Sequence, residues 1–342
     1  MPSPSESQSN QLRSPSLSVV VPAYNEEEVL PEFHSRMVSV LNTLAWEWTL
    51  IYVNDGSSDQ TLLKMLSLRN QDTRICVIDL SRNFGKEIAL TAGLDHATGD
   101  AVVVIDADLQ DPPELIPALL EKLSSGYDVV YAQRTTREGE SPLKKLTARS
   151  FYRVIQQLTR VQIPVDTGDF RVMSQRVVQS LGTLRERNRF MKGLFAWVGF
   201  RQGALPYRRH PRFAGRTKWN YWRLWNLAIE GVTSFSMAPL RVATYVGLMV
   251  ATGALLYAAV TIYRTLTYGE AVAGYPSLMV VILLLGGVQL MTMGILGEYV
   301  GRMFDETKRR PLYFIQNYHS AAGPSAGAAA SARVTDSATG QG

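Results

Sequence analysis

One cysteine in 342 residues excludes an internal disulfide, and that residue, Cys76, sits inside a short apolar run. Such usage fits a reducing compartment and a small core residue better than a reactive thiol. The four histidines, His34, His96, His210 and His319, show no ligand spacing, which argues against a zinc site. No Gly-x-Gly-x-x-Gly follows the first strand-like run, and no Walker-type Gly-x4-Gly-Lys-[Ser/Thr] occurs anywhere. A dinucleotide oxidoreductase and a P-loop nucleotidase are therefore disfavoured. Neither end has the positive-then-apolar layout of a signal peptide, so the polar part of the chain is expected to stay cytoplasmic. The formal charge is only +5, from 35 basic and 30 acidic side chains, with no nucleic-acid reading motif. That balance suits an anionic membrane and anionic substrates rather than nucleic acid.

What is present is an alternation. Ser18–Ala23, Thr49–Asn54, Ile75–Asp79, Val102–Ile105 and Asp128–Ala132 read as strands, with helical patterns over Glu28–Leu44, Thr61–Arg69 and Pro113–Leu123 between them. Strand–helix alternation predicts an α/β fold with a mostly parallel sheet flanked by helices, whose ligands sit beyond the carboxyl ends of the strands. Tyr24, Asn25, Glu26, Asp55, Asp106 and Asp108 all stand at such ends.

Asp106-Ala107-Asp108-Leu109-Gln110-Asp111-Pro112-Pro113 is the richest of these ends. Two carboxylates spaced i, i+2 after a buried strand can converge on one hard cation, Mg²⁺ or Mn²⁺, that takes its other ligands from water and a diphosphate. The same stretch also reads as a helix start, with Asp111 as cap and Pro112-Pro113 opening the helix. Both readings can hold together. An acidic crevice that takes an anionic nucleotide needs a divalent metal to reverse the local sign.

The segments Val20–Glu27, Val53–Thr61, Ser81–Glu87 and Asp106–Glu114 together resemble the family 2 glycosyltransferases of GT-A fold, a Rossmann-like architecture. Among them the nearest resemblance is to the polyprenyl-phosphate branch, over about 18–218 plus an apolar tail. The resemblance implies that Pro22, Tyr24, Asn25, Glu26, Asp55, Asp106, Ala107, Asp108 and Arg134 contact the nucleotide sugar. It further implies that Asp106, Asp108 and Gln110 hold Mg²⁺ or Mn²⁺, and that Arg212 and Lys218 grip phosphates. Arg216 departs from the pattern, since an acidic residue is common there in part of the branch; an added phosphate contact and a solvated side chain both remain open.

Asp166-Thr167-Gly168-Asp169-Phe170-Arg171 is the second candidate catalytic element. An acceptor hydroxyl needs a general base, whereas a lipid phosphate is already ionised near neutral pH. A carboxylate here, Asp166 or Asp169, is thus expected to position the acceptor, with Arg171 on its phosphate. A turn with a structural salt bridge is the alternative.

Two uncharged apolar runs, Val242–Ile262 and Pro276–Leu296, are each long enough to cross a bilayer. Arg201, Arg208, Arg209, Arg212 and Arg241 precede them and Arg302, Lys308, Arg309 and Arg310 follow, so both ends are expected in the cytoplasm, at the inner membrane. Glycines in both runs suit close packing within a chain or in a homo-oligomer. Trp219, Trp222, Trp225, Ile229 and Val232 recur at helical spacing and predict an interfacial amphipathic helix over 219–240. The expected layout is then a disordered lead (1–16), a catalytic domain (17–218), the interfacial helix, a two-span region (241–300) and a cytoplasmic tail (301–342) disordered at its end.

The implied reaction is a single inverting transfer from a nucleotide sugar, UDP-glucose being the first donor to test, to a membrane polyprenyl phosphate such as undecaprenyl phosphate. Transfer to another lipid such as diacylglycerol, and a silent membrane scaffold, are the alternatives. A processive polysaccharide synthase is disfavoured because no Gln-x-x-Arg-Trp motif occurs.

Overall fold

The computed structural model describes residues 14–135, 167–187, 189–207, 238–268 and 274–321. The elements follow in the order β1 (Ser16–Ala23), α1 (Leu30–Leu41), β2 (Glu47–Asn54), α2 (Thr61–Gln71), β3 (Ile75–Leu80), α3 (Lys86–Asp95) and β4 (Ala101–Val104). A 3-10 turn, Pro113–Leu115, leads into α4 (Ile116–Ser124) and β5 (Val129–Arg134). Next come β6 (Thr167–Ser174), α5 (Gln175–Thr183), α6 (Met191–Trp197) and β7 (Gln202–Tyr207). Two long helices, α7 (Ala238–Tyr268) and α8 (Tyr275–Thr307), precede a last strand, β8 (Ile315–His319).

All eight described strands join one sheet in the order β7-β5-β6-β4-β1-β2-β3-β8. The sheet is mixed rather than mostly parallel. β1 pairs in parallel with β2 and β4, β2 with β3, and β5 with β7. β6 runs antiparallel between β4 and β5, and β8 antiparallel along β3. This reversal shapes the site, because β6 begins at the edge where β4 and β5 end.

Alternation along the buried strands builds a core on each face of the sheet. Val19, Val21, Leu50, Tyr52 and Val103 pack toward α1 and α4, meeting Phe33, Met37, Leu41, Ile116 and Leu119. Val20, Ile51, Val53, Val102 and Val104 pack toward α3, α5 and α6, meeting Leu90, Val177, Leu181, Leu194 and Phe195. α3 lies tightly on β1: a Cβ on Gly93 would stand 2.2 Å from Val20 Cγ1. That close approach aims the N-terminus of α3 at the carboxyl edge of the sheet.

α7 and α8 contain 31 and 33 residues, roughly 46 and 50 Å at ~1.5 Å per residue. They pack on each other, and most of their described large apolar side chains are exposed, Leu255 at 72% and Leu266 at 81%. The two expected spans fall inside these helices. Some positions of each lie outside the described residues, and among the described residues no helix is long and apolar enough to cross a membrane. The expected interfacial helix also lies outside them, except 238–240, which already belong to α7.

At both ends the described chain joins the sheet. β1 starts at Ser16, whose N–H donates to Asp100 at 2.8 Å, rather than after a lead reaching that residue. After α8 the chain returns to the sheet, and the disorder expected at the end of the tail lies outside the described residues beyond 321. β8 pairs with β3, Asn317 donates to Asp79 at 3.2 Å, and Tyr313 donates to Asp95 at 2.8 Å.

Candidate active site

The ends of β1 and β2 are laced into one turn assembly. Asn25, in the left-handed region at φ 55°, accepts from the Ser58 N–H at 2.9 Å and donates its own N–H to Ser57 Oγ at 3.1 Å. The Glu26 N–H donates to Thr61 Oγ1 at 2.9 Å, and the Glu27 carboxylate accepts from the Gln60 N–H at 2.9 Å. Asn tolerates this backbone better than most residues, which accounts for its place after Tyr24. Tyr24 itself is 47% exposed at the mouth of the crevice, a flat aromatic free to face a base. Pro22 is buried in β1 opposite Val53 and supports this turn from below.

Asp55 is buried, and both its oxygens are engaged by the chain. They accept from the Phe84 N–H at 2.7 Å and the Gly85 N–H at 3.0 Å. Burial raises its pKa, partly offset by those two donors. Gly56, at φ 63°, brings the same turn against the next loop, where a Cβ would stand 2.4 Å from the Arg82 carbonyl carbon. Asp55 therefore fixes the entry to α3.

The first residue of that helix is the centre of the site. Lys86 Nζ lies 2.6 Å from Asp106 Oδ2 and 2.5 Å from Asp169 Oδ2. Asp106 follows β4, and Asp169 stands near the start of β6, so the reversed strand brings these two carboxylates together. Burial opposes ionisation of Asp169, but Lys86 and Lys192 outweigh it and hold the carboxyl well below the usual range. At Asp106 burial prevails, and the pKa is raised despite Lys86. Beside them, burial and Asp169 push Glu87 up to about 7, and its Oε2 accepts from the Met191 N–H at 3.2 Å.

The Asp106–Asp111 loop is held in an unusual conformation. Leu109 adopts φ 58°, a backbone that costs a non-glycine residue about 1–2 kcal/mol. Ala107 and Leu109 are buried in the core beneath, which leaves Asp106 and Asp108 on the crevice side. Asp108 Oδ1 accepts from the Gln110 N–H at 3.1 Å. Among the described residues no three His, Cys, Asp or Glu side chains gather into a metal cage. The donor set Asp106, Asp108 and Gln110 nevertheless fits a hard cation completed by diphosphate and water. All its donors are oxygens, and Asp106 Oδ1 and Gln110 Oε1 are buried with no hydrogen-bond partner among the described residues.

Asp111 does not cap a helix. Neither the 3-10 turn nor α4 has a side-chain cap. Its carboxylate instead accepts from Tyr207 Oη and lies 3.7 Å from Arg134 Nη2, while Arg134 Nε donates to Tyr207 Oη at 3.2 Å. Burial and Asp111 push the Tyr207 hydroxyl up to about 12. Gly168 leaves room for this arginine, since a Cβ there would meet Arg134 Nη2 at 2.9 Å.

Arg171 is placed differently from the expected phosphate contact. It is 3% exposed, donates to the backbone carbonyls of Asp169 and Gly168 at 3.2 and 3.0 Å, and lies over the Phe195 ring at 3.7 Å. Two residues along β6 from Asp169, it points into the α3/α6 core, where burial pulls its pKa down to about 10. Its guanidinium braces the start of β6. Asp166, Arg212, Arg216 and Lys218 lie outside the described residues. Sequence reasoning assigned no role to Lys86, Glu87 or Tyr207, and gave Asp111 only that of a helix cap. A lysine directly after glycine at a helix start was the available signal for the first.

With this geometry in place, relatedness is decisive. Residues 18–182 match the glycosyl transferase family 2 profile, and residues 238–303 match the GtrB C-terminal hairpin. An uncharacterized glycosyltransferase of Synechocystis is 52% identical over 88% of this chain and 95% of its own length. The chain belongs to glycosyltransferase family 2. It is accordingly a glycosyltransferase. A prophage bactoprenol glucosyl transferase homolog of Escherichia coli K12 is 48% identical over 88% of this chain and 98% of its own. The bactoprenol glucosyl transferase of Shigella phage SfV is 49% identical with the same coverage. A solved glucosyl-3-phosphoglycerate synthase of Mycobacterium tuberculosis, in complex with Mn²⁺, UDP-glucose and phosphoglyceric acid, gives a TM-score of 0.44 at 22% identity. It covers 64% of this chain and 78% of that one, too distant a likeness to carry residue roles.

Proposed function

We propose that this glycosyltransferase moves glucose from UDP-glucose to undecaprenyl phosphate at the cytoplasmic face of the inner membrane. The observation that carries the reading is the near full-length similarity to proteins named bactoprenol glucosyl transferase, hairpin included. In the transfer, an acceptor phosphate oxygen attacks the anomeric carbon from the side opposite the leaving group. The bond from that carbon to the diphosphate oxygen breaks, UDP leaves, and the configuration inverts. Tyr24, Asn25 and Glu26 line the nucleoside side, with Asp55 holding the adjoining loop, and Arg134 faces the departing diphosphate. Asp106, Asp108 and Gln110 would hold Mg²⁺ or Mn²⁺, which offsets the charge developing on that diphosphate.

The state of Asp169 favours a phosphate over a hydroxyl acceptor such as that of diacylglycerol. A carboxylate held by Lys86 well below its usual range is a poor proton acceptor. A phosphate oxygen needs none, whereas a hydroxyl must lose a proton as it attacks.

α7 and α8 form a two-span membrane hairpin in this reading. Their exposed leucines and methionines suit lipid, and the hydroxyls of Thr244, Thr252, Thr267 and Thr292 bond to carbonyls four residues back, so those polar groups need no water. Basic residues flank both outer ends, and β8 returns to the catalytic sheet; both features support a reading with the two hairpin ends on the cytoplasmic side. Anchoring at the membrane makes the encounter with a lipid acceptor local.

A transfer assay tests this, using purified protein, undecaprenyl phosphate, Mg²⁺ or Mn²⁺ and labelled UDP-glucose among other nucleotide sugars. Acid-labile labelled lipid with UDP as co-product is expected. Hydrolysis of the donor without labelled lipid would refute the acceptor, and labelling from another nucleotide sugar alone would refute glucose.

A further inference from the structure

Lys86 is not explained by the helix it opens. A cation in the first turn of α3 opposes the helix dipole, so local stability argues against it. Its backbone is nevertheless fixed with care. Gly85 precedes it at φ 96°, and Asp55 grips the N–H groups of Phe84 and Gly85. Only the aliphatic arm is left to move, and that arm is 45% exposed to the crevice. The ammonium at its end joins a carboxylate just past β4 to one near the start of β6, and each keeps a second oxygen, Asp106 Oδ1 and Asp169 Oδ1, buried without a hydrogen-bond partner among the described residues. Two carboxylates so close repel unless a cation lies between them. Asp106 also belongs to the donor set that fits a divalent cation, so the two cations compete for one carboxylate.

We propose that Lys86 is a resident counter-cation linking the donor and acceptor halves of the crevice. It neutralises Asp106 in the unloaded enzyme, yields it when a divalent cation binds, and then carries its charge with Asp169 toward the anionic acceptor. A flexible stem bearing a compact charge suits such a shift better than a rigid guanidinium. This inference rests on the metal and acceptor assignments proposed above.

The consequence is a gain where a structural brace predicts a loss. Lys86→Met removes the competitor, so Mn²⁺ should bind the unloaded, full-length enzyme about tenfold more tightly or better, read by electron paramagnetic resonance of free Mn²⁺. The same variant should show a raised acceptor KM and a lowered kcat, with donor KM little changed. Lys86→Arg, which keeps the charge, should hold Mn²⁺ affinity near wild type and restore part of the acceptor KM. Lys86→Gln, similar in length and neutral, carries the same expectation as Lys86→Met should the latter not fold. Unchanged or weaker Mn²⁺ binding in a folded neutral variant, with wild-type binding lost in Asp108→Ala, overturns the role of Lys86 alone. Failure of the wild type to bind Mn²⁺ overturns the metal assignment and this role together, while the transfer assay reports separately on the reaction.

Discussion

Tyr207→Phe deletes one oxygen and tests how Arg134 is aimed. That oxygen donates to Asp111 and accepts from Arg134 Nε at 3.2 Å; among the described residues, its removal leaves Arg134 the 3.7 Å approach to Asp111. Asp111 is 1% exposed, so the lost partner is not replaced by bulk water. A hydrogen bond to a charged group is worth about 1.5–3 kcal/mol, and the melting temperature in detergent should fall on the order of 5 °C. If Arg134 meets the diphosphate, its loosened guanidinium should also lower kcat/KM for the donor about tenfold, equivalent to ~1.4 kcal/mol. Arg134→Ala should cost more, and adding Tyr207→Phe to it should cost almost nothing further in kcat/KM, because the hydroxyl acts through the arginine. A melting point that falls while donor kcat/KM stays within about twofold would refute the reasoning, as would strict additivity in the double variant.

Asp108→Ala should abolish turnover while leaving the fold intact; near-normal activity with undiminished metal dependence would remove Asp108 from the donor set. Glu87, raised to about 7 by burial, is protonated in the fold over a range where the unfolded chain has already lost that proton. Its contribution therefore falls as pH rises from about 4.5 to 7, by up to ~3 kcal/mol, and Glu87→Gln should flatten that part of the stability profile; an unchanged slope in thermal melts would refute it. Removing residues 311–342 strips β8 from β3 and takes away the Tyr313–Asp95 and Asn317–Asp79 bonds. The bared edge should lower the melting temperature and promote aggregation, and a monodisperse variant of unchanged stability on size exclusion would show that β8 is dispensable.

The parallel core was legible in the sequence because strands buried on both faces read as uninterrupted apolar runs, as Val19–Val21, Leu50–Val53 and Val102–Ile105 do. The residues at their ends were legible for the same reason, since polar side chains stop those runs abruptly. β6 and β8 were not. The first was read as a candidate catalytic segment, with a turn as the alternative, because Asp-Thr-Gly-Asp opens it, and no local pattern reveals that its neighbours run the other way. The second, Ile315–His319, is five residues with three exposed and gains its place only from β3. Arg171 shows the limit at side-chain level: a cation near a candidate acceptor site looks like a phosphate ligand until the Phe195 face and two carbonyls occupy it.

The reversal of β6 ties these points together. A strand parallel to its neighbours would have carried Thr167-Gly168-Asp169 to the far edge of the sheet, away from Asp106. Running antiparallel, it delivers Asp169 to Lys86 and Gly168 to Arg134 at the edge where β4 and β5 end. On the proposed assignment, both halves of the transfer site thus come from one sheet edge, the donor side on strand ends and the acceptor side on a strand beginning. Because Asp169 spends its charge on Lys86, that edge is poor at removing protons and good at balancing charge. In the proposed reading, such an edge suits an acceptor that arrives already ionised, and the hairpin that continues the chain is the route by which a lipid acceptor would reach it.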